Sequence, residues 1–217
     1  MTKVETAMIM AAGLGQRMRP LTENRPKPLV EVAGKVMIDH CFDKLAEAGI
    51  GKAVVNVHYL ADMMEAHLAA SSYPIQVKVS DERKELLETG GGLVQAERLI
   101  EEENFFCINS DNLWTDGSTN SLHRLAQAWD EERMDALLLL VPREVAHNYK
   151  GSGDFHLDDE RRISRKLPGQ QAPLIFSGIQ LISKRLLRDP PEGPFSTNIF
   201  WERAIGEGRL FGLIHEG

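Results

Sequence analysis

The sequence predicts an α/β fold: a single open, mostly parallel, Rossmann-like sheet with helices on both faces and a β-rich flap. Short apolar segments alternate with helix-like segments from residue 5 to residue 141, which is typical of a parallel sheet covered on both faces. After Pro142 the pattern changes, because turn-forming residues separate short pieces of alternating polarity. This change predicts a flap packed beside the sheet.

Each predicted element follows from its local pattern. Short runs that are apolar or alternate in polarity predict strands at residues 5–11, 53–57, 75–79, 105–108, 136–141, 155–157 and 174–181. Longer segments with a helical period predict helices at residues 36–48, 60–70, 91–100, 118–129 and 197–206. We expect residues 1–217 to form one domain, with a first half at 1–142 and a second half at 143–217.

Composition limits the class of partner. The formal net charge of the 217 residues is −7, which argues against a nucleic-acid partner because such a partner favours a basic face. Cys41 and Cys107 lie in apolar surroundings, so we expect buried free thiols and a reducing cytoplasm. We expect neither a signal peptide nor a membrane span, since no apolar run is long enough to cross a bilayer.

The stretch from residue 8 to residue 29 predicts a binding loop for a phosphate chain. An apolar run ends in a glycine turn at Gly13 and Gly15, Arg17 follows, and Lys27 stands between two prolines. Glycines let backbone N–H groups converge on an anion, and flanking prolines restrict the backbone that carries the lysine. The alternative for the Gly-x-Gly alone is an ordinary tight turn. The spacing fits neither a dinucleotide fingerprint nor a Walker loop.

Polar segments that follow other predicted strands point to the same edge of the sheet. Asp111 comes directly after the strand at 105–108, where a carboxylate is well placed to hold Mg²⁺ against phosphate oxygens. Its alternative is an Asx-turn or a helix cap. The glycine run at residues 90–92 allows close approach of a flat ligand, or alternatively forms a flexible hinge.

Taken together, these motifs resemble the signature of the sugar-1-phosphate nucleotidyltransferases. The resemblance covers nearly the whole chain and is carried by Ala11-Ala12-Gly13-x-Gly15-x-Arg17-Met18-x-Pro20-Leu21-Thr22, Pro26-Lys27-Pro28-Leu29, Leu87-Glu88-Thr89-Gly90-Gly91-Gly92, Asn109-Ser110-Asp111, Gly151-x-Gly153-Asp154-Phe155 and Phe176-Ser177-Gly178-Ile179. It implies that a sugar 1-phosphate and a nucleoside triphosphate form a nucleotide-sugar and pyrophosphate. It also implies that residues 1–142 bind the nucleotide and residues 143–217 the sugar.

The resemblance assigns roles by matching position. Arg17 and Lys27 are implied as the catalytic cations on the triphosphate, and Asp111 as the ligand of Mg²⁺. The implied nucleotide-binding residues are Ala11, Ala12, Gly13, Gly15, Asn56, Thr89 and Gly90. The implied sugar-phosphate residues are Asp154, Lys166, Ser177 and Gly178, and Arg165 stands where many relatives have the acid of a Glu-Lys pair.

Within the family, the Glu-Thr-Gly-Gly-Gly and Gly-x-Gly-Asp-Phe segments look most like a bacterial uridylyltransferase branch of cell-wall recycling. A guanylyltransferase branch and a nucleotide sensor without turnover are the alternatives. A sugar kinase is the implied functional neighbour. Family members usually continue into an Asp-Val-Gly-Thr-Pro-like segment whose acid is a second metal ligand. The sequence stops at Gly217, before that segment, so no second ligand is assigned.

Overall fold

The computed structural model describes residues 3–70, 72–147 and 149–217. Within these residues the strands are β1 (Thr6–Met10), β2 (Glu31–Val32), β3 (Lys35–Val36), β4 (Lys52–Val57), β5 (Gln76–Asp81), β6 (Asn104–Asn109), β7 (Ala136–Pro142), β8 (Phe155–Leu157), β9 (Ile163–Arg165), β10 (Leu174–Ser183) and β11 (Leu210–Ile214). The α-helices are α1 (Met37–Glu47), α2 (Ala61–Ala70), α3 (Glu88–Glu97), α4 (Ser121–Ala128) and α5 (Asn198–Gly206).

The centre of the molecule is a nine-stranded sheet with the path β11-β7-β10-β6-β1-β4-β5. Neighbouring strands along this path are parallel, except that β10 is antiparallel to both β6 and β7. The predicted open, mostly parallel sheet is therefore confirmed. The short strands β2 and β3 form a separate antiparallel pair.

Alternation along each strand separates two hydrophobic clusters on the two faces of the sheet. In β1, Ala7 and Ile9 belong to the cluster that contains residues of α1, α2 and α4. Met8 points the other way and belongs to the cluster that contains residues of α3 and α5. Since successive side chains of a strand point to opposite faces, the strands of a doubly covered sheet are apolar throughout. This explains why the predicted strands read as continuous apolar runs.

The turn-rich second half forms the predicted flap. Strands β8 and β9 pair in an antiparallel hairpin, and Phe155 of β8 is opposite Leu174 at the start of β10. The ring of Phe155 also makes an edge-on contact with Trp201 of α5, with ring centroids 5.9 Å apart. These contacts hold the hairpin against the main sheet and the last helix.

Four strands, β2, β3, β9 and β11, were not predicted, and one helix begins earlier than predicted. Strands β2, β3 and β9 have only two or three residues each, too few to show a period. Strand β11 is defined by parallel pairing with β7, a partner that local periodicity does not reveal. Helix α3 begins at Glu88 instead of residue 91, so the glycine run lies inside its first two turns.

The structure also describes the two cysteines and the apolar content of the helices. Cys41 and Cys107 are both buried free thiols, and burial raises the pKa of each to about 12. No helix in the described ranges is long and apolar enough to cross a membrane.

Candidate active site

A cavity of about 430 Å³ lies at the carboxyl ends of β1, β4 and β6. It is the place where ligands bind in open α/β sheets, because the loops that follow neighbouring parallel strands meet there. The predicted residues that line it are Ala11, Ala12, Gly13, Arg17, Lys27, Asn56, Thr89 and Asp111. The structure therefore brings together most of the predicted nucleotide-side residues, from four separate segments.

The glycine turn after β1 shapes this cavity in two ways. Gly13 lines it, and a Cβ at that position would meet no other atom within 4 Å among the described residues. Gly15 does not line the cavity, but its φ of +63 favours glycine. It also packs against Lys27, since a Cβ added at position 15 would lie 3.1 Å from the Lys27 Cβ. The Thr22 hydroxyl donates a 2.8 Å hydrogen bond to the Gly15 carbonyl. The turn thus closes on itself and carries Lys27 to the cavity.

The two predicted cations differ in what they contact. Arg17 is exposed in the 3₁₀ turn Gln16–Met18, and no carboxylate of the described residues pairs with it. Lys27 begins a second 3₁₀ turn, Lys27–Leu29, and its ammonium forms an ion pair with Asp111. Arg19 and Arg25 do not line the cavity. The site therefore has one uncommitted cation and one that is neutralised by the predicted metal ligand.

Asp111 stands between two cavities. It lines the first and also a second one of about 380 Å³, which is lined as well by Asn112, Trp114 and Ser177. No group of three His, Cys, Asp or Glu side chains that could hold a metal occurs in the part of the chain that the structure describes. A single carboxylate still suits Mg²⁺, which is commonly held by one or two carboxylates together with substrate phosphates.

Both polar atoms of the Asn56 amide form hydrogen bonds with protein groups. Its Oδ1 accepts a 2.6 Å hydrogen bond from the Ala11 N–H, and its Nδ2 donates a 2.7 Å hydrogen bond to Glu82 Oε1. Asn56 lines the cavity, but its polar atoms stabilise the cavity wall. Its predicted contact with the nucleotide stays a prediction.

The glycine run at the start of α3 packs against the loop before α5. A Cβ on Gly90 would lie 2.4 Å from the Phe195 ring, and the Gly90 N–H donates a 2.8 Å hydrogen bond to the Phe195 carbonyl. The Phe195 ring thus lies where a side chain at position 90 would project, and Gly90 does not line the cavity. The predicted contact of Gly90 with the nucleotide stays a prediction. Thr89 does line it, and its hydroxyl accepts a 2.9 Å hydrogen bond from the Thr197 N–H. The run therefore permits close packing of the loop before α5.

The predicted sugar-side residues are only partly brought to a cavity. Ser177 lines the second cavity. The Asp154 carboxylate instead accepts a 3.0 Å hydrogen bond from the Phe176 N–H, and the Lys166 ammonium donates to the Gly153 carbonyl at 2.6 Å. Asp154 and Lys166 thus tie the flap together, and their contact with a sugar stays a prediction.

Gly178 sits in an irregularity of β10, where the pairing with β7 shifts between Phe176 and Gln180. It has φ +84, and an added Cβ would lie 2.2 Å from Asn112 Nδ2. The same Nδ2 donates a 2.6 Å hydrogen bond to the Ser177 carbonyl. Gly178 therefore allows β10 to approach the segment that carries Asp111.

Several lining residues received no role from the sequence. They are Met10, Pro28, Leu86, Glu88, Asn109, Ser110 and Ser196. Glu88 has a positive φ of 58, which is uncommon for a residue with a side chain, but the sequence gives no sign of this conformation. Ser196 lies between Phe195 and Thr197, whose hydrogen bonds with Gly90 and Thr89 join this loop to α3.

A doubly covered parallel sheet with a cationic loop and a carboxylate at its carboxyl edge defines an anion-binding α/β enzyme site. The chain belongs to the nucleotidyl transferase family, whose sequence profile matches residues 6–165. The predicted family is confirmed.

Within this family the chain is 43% identical over 214 residues to N-acetylmuramate alpha-1-phosphate uridylyltransferase of Caulobacter vibrioides, covering 97% of this chain and 88% of the relative. The enzyme of the same name from Neisseria meningitidis serogroup B is 37% identical over 174 residues, 80% of this chain and 73% of the relative. Mannose-1-phosphate guanylyltransferase relatives match only 48% of this chain.

Among solved structures, HddC from Yersinia pseudotuberculosis superimposes with a TM-score of 0.78. The match covers 97% of this chain and 90% of that chain at 23% sequence identity. At this identity the likeness supports the fold.

Proposed function

We propose that the protein is a sugar-1-phosphate uridylyltransferase that makes UDP-N-acetylmuramate and pyrophosphate from UTP and N-acetylmuramate 1-phosphate. The observation that carries the proposal is the position of Asp111, which lines both a cavity with two cations and a second cavity on the side of β10. The near full-length similarity to uridylyltransferases supports the choice of substrates. The guanylyltransferase alternative is weaker, since its relatives match about half of the chain.

The reaction needs positioning and charge neutralisation. A phosphate oxygen of the sugar 1-phosphate forms a bond to the α-phosphorus of UTP, and the bond from that phosphorus to the bridging oxygen of the β-phosphate breaks. Pyrophosphate leaves with that electron pair. Because the nucleophile is already an anion, no general base is required, and fixed cations supply most of the stabilisation.

We assign the triphosphate to the first cavity, over the backbone of residues 11–13. Arg17 is available to it without losing a partner, whereas Lys27 must exchange Asp111 for a phosphate oxygen. That exchange frees the Asp111 carboxylate. Asp111 would then hold Mg²⁺, which supplies further neutralisation of the triphosphate when it is bound.

We assign the sugar phosphate to the second cavity, beside Ser177. Gly178 shapes that wall, while Asp154 and Lys166 fix the flap behind it. In this arrangement residues 1–142 hold the nucleotide and residues 143–217 hold the sugar. A cytoplasmic location and a sugar kinase that supplies the substrate belong to the same proposal.

The test is pyrophosphate release with a panel of nucleoside triphosphates and sugar 1-phosphates, together with mass analysis of the nucleotide-sugar. We expect the highest kcat/KM with UTP and N-acetylmuramate 1-phosphate. A preference for GTP and mannose 1-phosphate would support the guanylyltransferase alternative. Nucleotide binding without turnover of any pair would support a sensor and contradict the proposal.

A further inference from the structure

Glu82 is a buried acid that stands behind the nucleotide cavity. It follows β5, is only 2% exposed and does not line the cavity. Its two carboxylate oxygens accept separate hydrogen bonds: Oε1 from Asn56 Nδ2 at 2.7 Å and Oε2 from the Leu87 N–H at 3.2 Å. Both donors belong to segments that form the cavity wall.

The first of these bonds fixes the loop after β1. The Ala11 N–H donates to Asn56 Oδ1 at 2.6 Å, so the amide oxygen of Asn56 must face Ala11. Its amide nitrogen then points away and needs an acceptor, because a buried polar group without a partner is costly. Glu82 is that acceptor, and it therefore sets the orientation in which Asn56 can hold the loop.

The second bond fixes the start of α3. The Leu87 N–H belongs to the segment whose neighbours Leu86, Glu88 and Thr89 line the cavity. One carboxylate is thus bonded, directly or through Asn56, to two walls that come from different parts of the sequence.

The last glycine of the run is explained by the same carboxylate. A Cβ on Gly92 would lie 2.8 Å from Glu82 Oε1 and 3.0 Å from Asn56 Nδ2. The backbone of Glu82 is held as well, because its N–H donates to the Val57 carbonyl and its carbonyl contacts His58 Nδ1, each at 2.8 Å. The Glu82 side chain and its backbone are therefore both held in place by neighbouring groups.

We propose that Glu82 is a positioning residue for nucleotide binding: through Asn56 and Leu87 it holds the loop after β1 and the start of α3 at the spacing that a nucleoside triphosphate requires. The proposal rests on the nucleotide site assigned above. It predicts an effect on triphosphate affinity, although Glu82 itself does not contact the cavity.

The first test is Glu82→Gln, which keeps the size of the side chain but provides one acceptor oxygen for two donors. A donor then faces a donor, either at Asn56 or at Leu87. By isothermal titration we expect Kd for the triphosphate to rise about tenfold or more, as one buried hydrogen bond is lost. We expect a smaller change in kcat at saturating triphosphate, since Arg17 and Lys27 are intact.

The second test is the double variant Asn56→Asp with Glu82→Gln, which exchanges the amide and the carboxylate. The new carboxylate at position 56 accepts from the Ala11 N–H and from the new amide at position 82. The oxygen of that amide accepts from the Leu87 N–H. All three hydrogen bonds are restored, but a carboxylate now lines the cavity. The matched reference is therefore Asn56→Asp alone, which carries the same carboxylate at position 56 but sets it against Glu82, and we expect the double variant to bind the triphosphate about tenfold more tightly than this single variant.

A matched control is Asp135→Asn, which neutralises another acid of 2% exposure far from the cavity. We expect it to leave Kd unchanged. The triphosphate is the one that wild type binds best, so a wrong base or sugar in the proposed function does not alter this test. A Glu82→Gln variant with wild-type Kd, or a folded double variant with no better affinity than Asn56→Asp alone, would overturn the proposal. If Glu82→Gln does not fold, the comparison of the double variant with Asn56→Asp decides alone.

Discussion

Glu82 and Asp135 are acids of equally low exposure, 2% each, at opposite ends of the central sheet. Glu82 follows the carboxyl end of β5 and is bonded by an amide and a backbone N–H. Asp135 precedes the amino end of β7, and its Oδ1 accepts 2.6 Å hydrogen bonds from both Arg185 Nε and Arg209 Nε.

The different partners give the two carboxyl groups opposite pKa shifts. Burial raises the pKa of Glu82, and the bonds from Asn56 and Leu87 only partly oppose it. Burial acts in the same direction on Asp135, but hydrogen bonds from the two arginines outweigh it and lower its pKa. The comparison teaches that burial alone does not decide the role of an acid. At the carboxyl edge neutral donors orient a wall of the site, and at the amino edge cations hold elements of the fold together.

The largest expected effect is a loss of activity from a substitution at the carboxyl edge of the sheet. Lys27→Ala removes a cation that we assign to the reacting phosphates, so we expect kcat/KM to fall by a factor on the order of 10²–10³, about 3–4 kcal/mol of transition-state stabilisation. The free energy of unfolding should change by less than about 1 kcal/mol, because the Lys27–Asp111 pair is partly exposed. Steady-state kinetics and urea unfolding measure both. The matched control is Lys35→Ala, which removes a lysine paired with Asp43 outside the cavity. Near-normal turnover of Lys27→Ala would exclude its catalytic role.

The second effect is a loss of stability from a substitution at the amino edge of the sheet. Asp135→Asn leaves two arginines without their shared carboxylate, so we expect the free energy of unfolding to fall by about 2–3 kcal/mol. The kcat/KM of the folded protein should not change. Urea unfolding and kinetics on the same preparation check this, with Asp62→Asn as the control for an exposed ion pair. A loss of kcat/KM without a loss of stability would show that the amino edge also serves the site.

A smaller effect tests the packing around Glu82. Gly92→Ala would place a methyl group 2.8 Å from Glu82 Oε1, so we expect a loss of about 1–2 kcal/mol in stability and weaker triphosphate binding. Gly206→Ala is the control, since an added Cβ there meets no described atom within 4 Å and alanine favours a helix. In thermal unfolding we expect the Tm of Gly206→Ala to lie above that of wild type and the Tm of Gly92→Ala to lie below it. Equal stability of Gly92→Ala and wild type would mean that the carboxylate moves freely.

The smallest effect is a difference in pH dependence. Asp135 has a lowered pKa in the folded state, so its contribution to stability is present above the unfolded pKa of about 3.9 and is lost as the pH falls below it. Glu82 has a raised pKa in the folded state, so the folded protein gains stability relative to Glu82→Gln as the pH falls toward about 4.3. Unfolding free energies of wild type, Asp135→Asn and Glu82→Gln between neutral pH and pH 3 measure both trends. If the stability difference between wild type and each variant changed in the same direction as the pH falls, the opposite pKa shifts of the two acids would be refuted.

Local sequence was sufficient to predict those parts of the carboxyl edge that are formed by the strands and by the turns directly after them. The apolar strands and the loop with Gly13, Arg17 and Lys27 are local features, and so is the position of Asp111 two residues after β6. The approach of Phe195 to Gly90 and the contact of Glu82 with Asn56 depend on long-range packing, which no periodicity encodes. The glycine run was visible, but whether it accommodates a ligand or a neighbouring loop could not be read from it.

The irregularity of β10 at Gly178 has a consequence for engineering new specificity. The wall assigned to the sugar and the segment that carries Asp111 meet where Asn112 Nδ2 bonds to the Ser177 carbonyl. A chimera that exchanges residues 143–217 for those of a relative therefore replaces one side of this contact and keeps the other. Such a hybrid needs a compatible pair at positions 112 and 178, and libraries for new sugar acceptors should vary these two positions together.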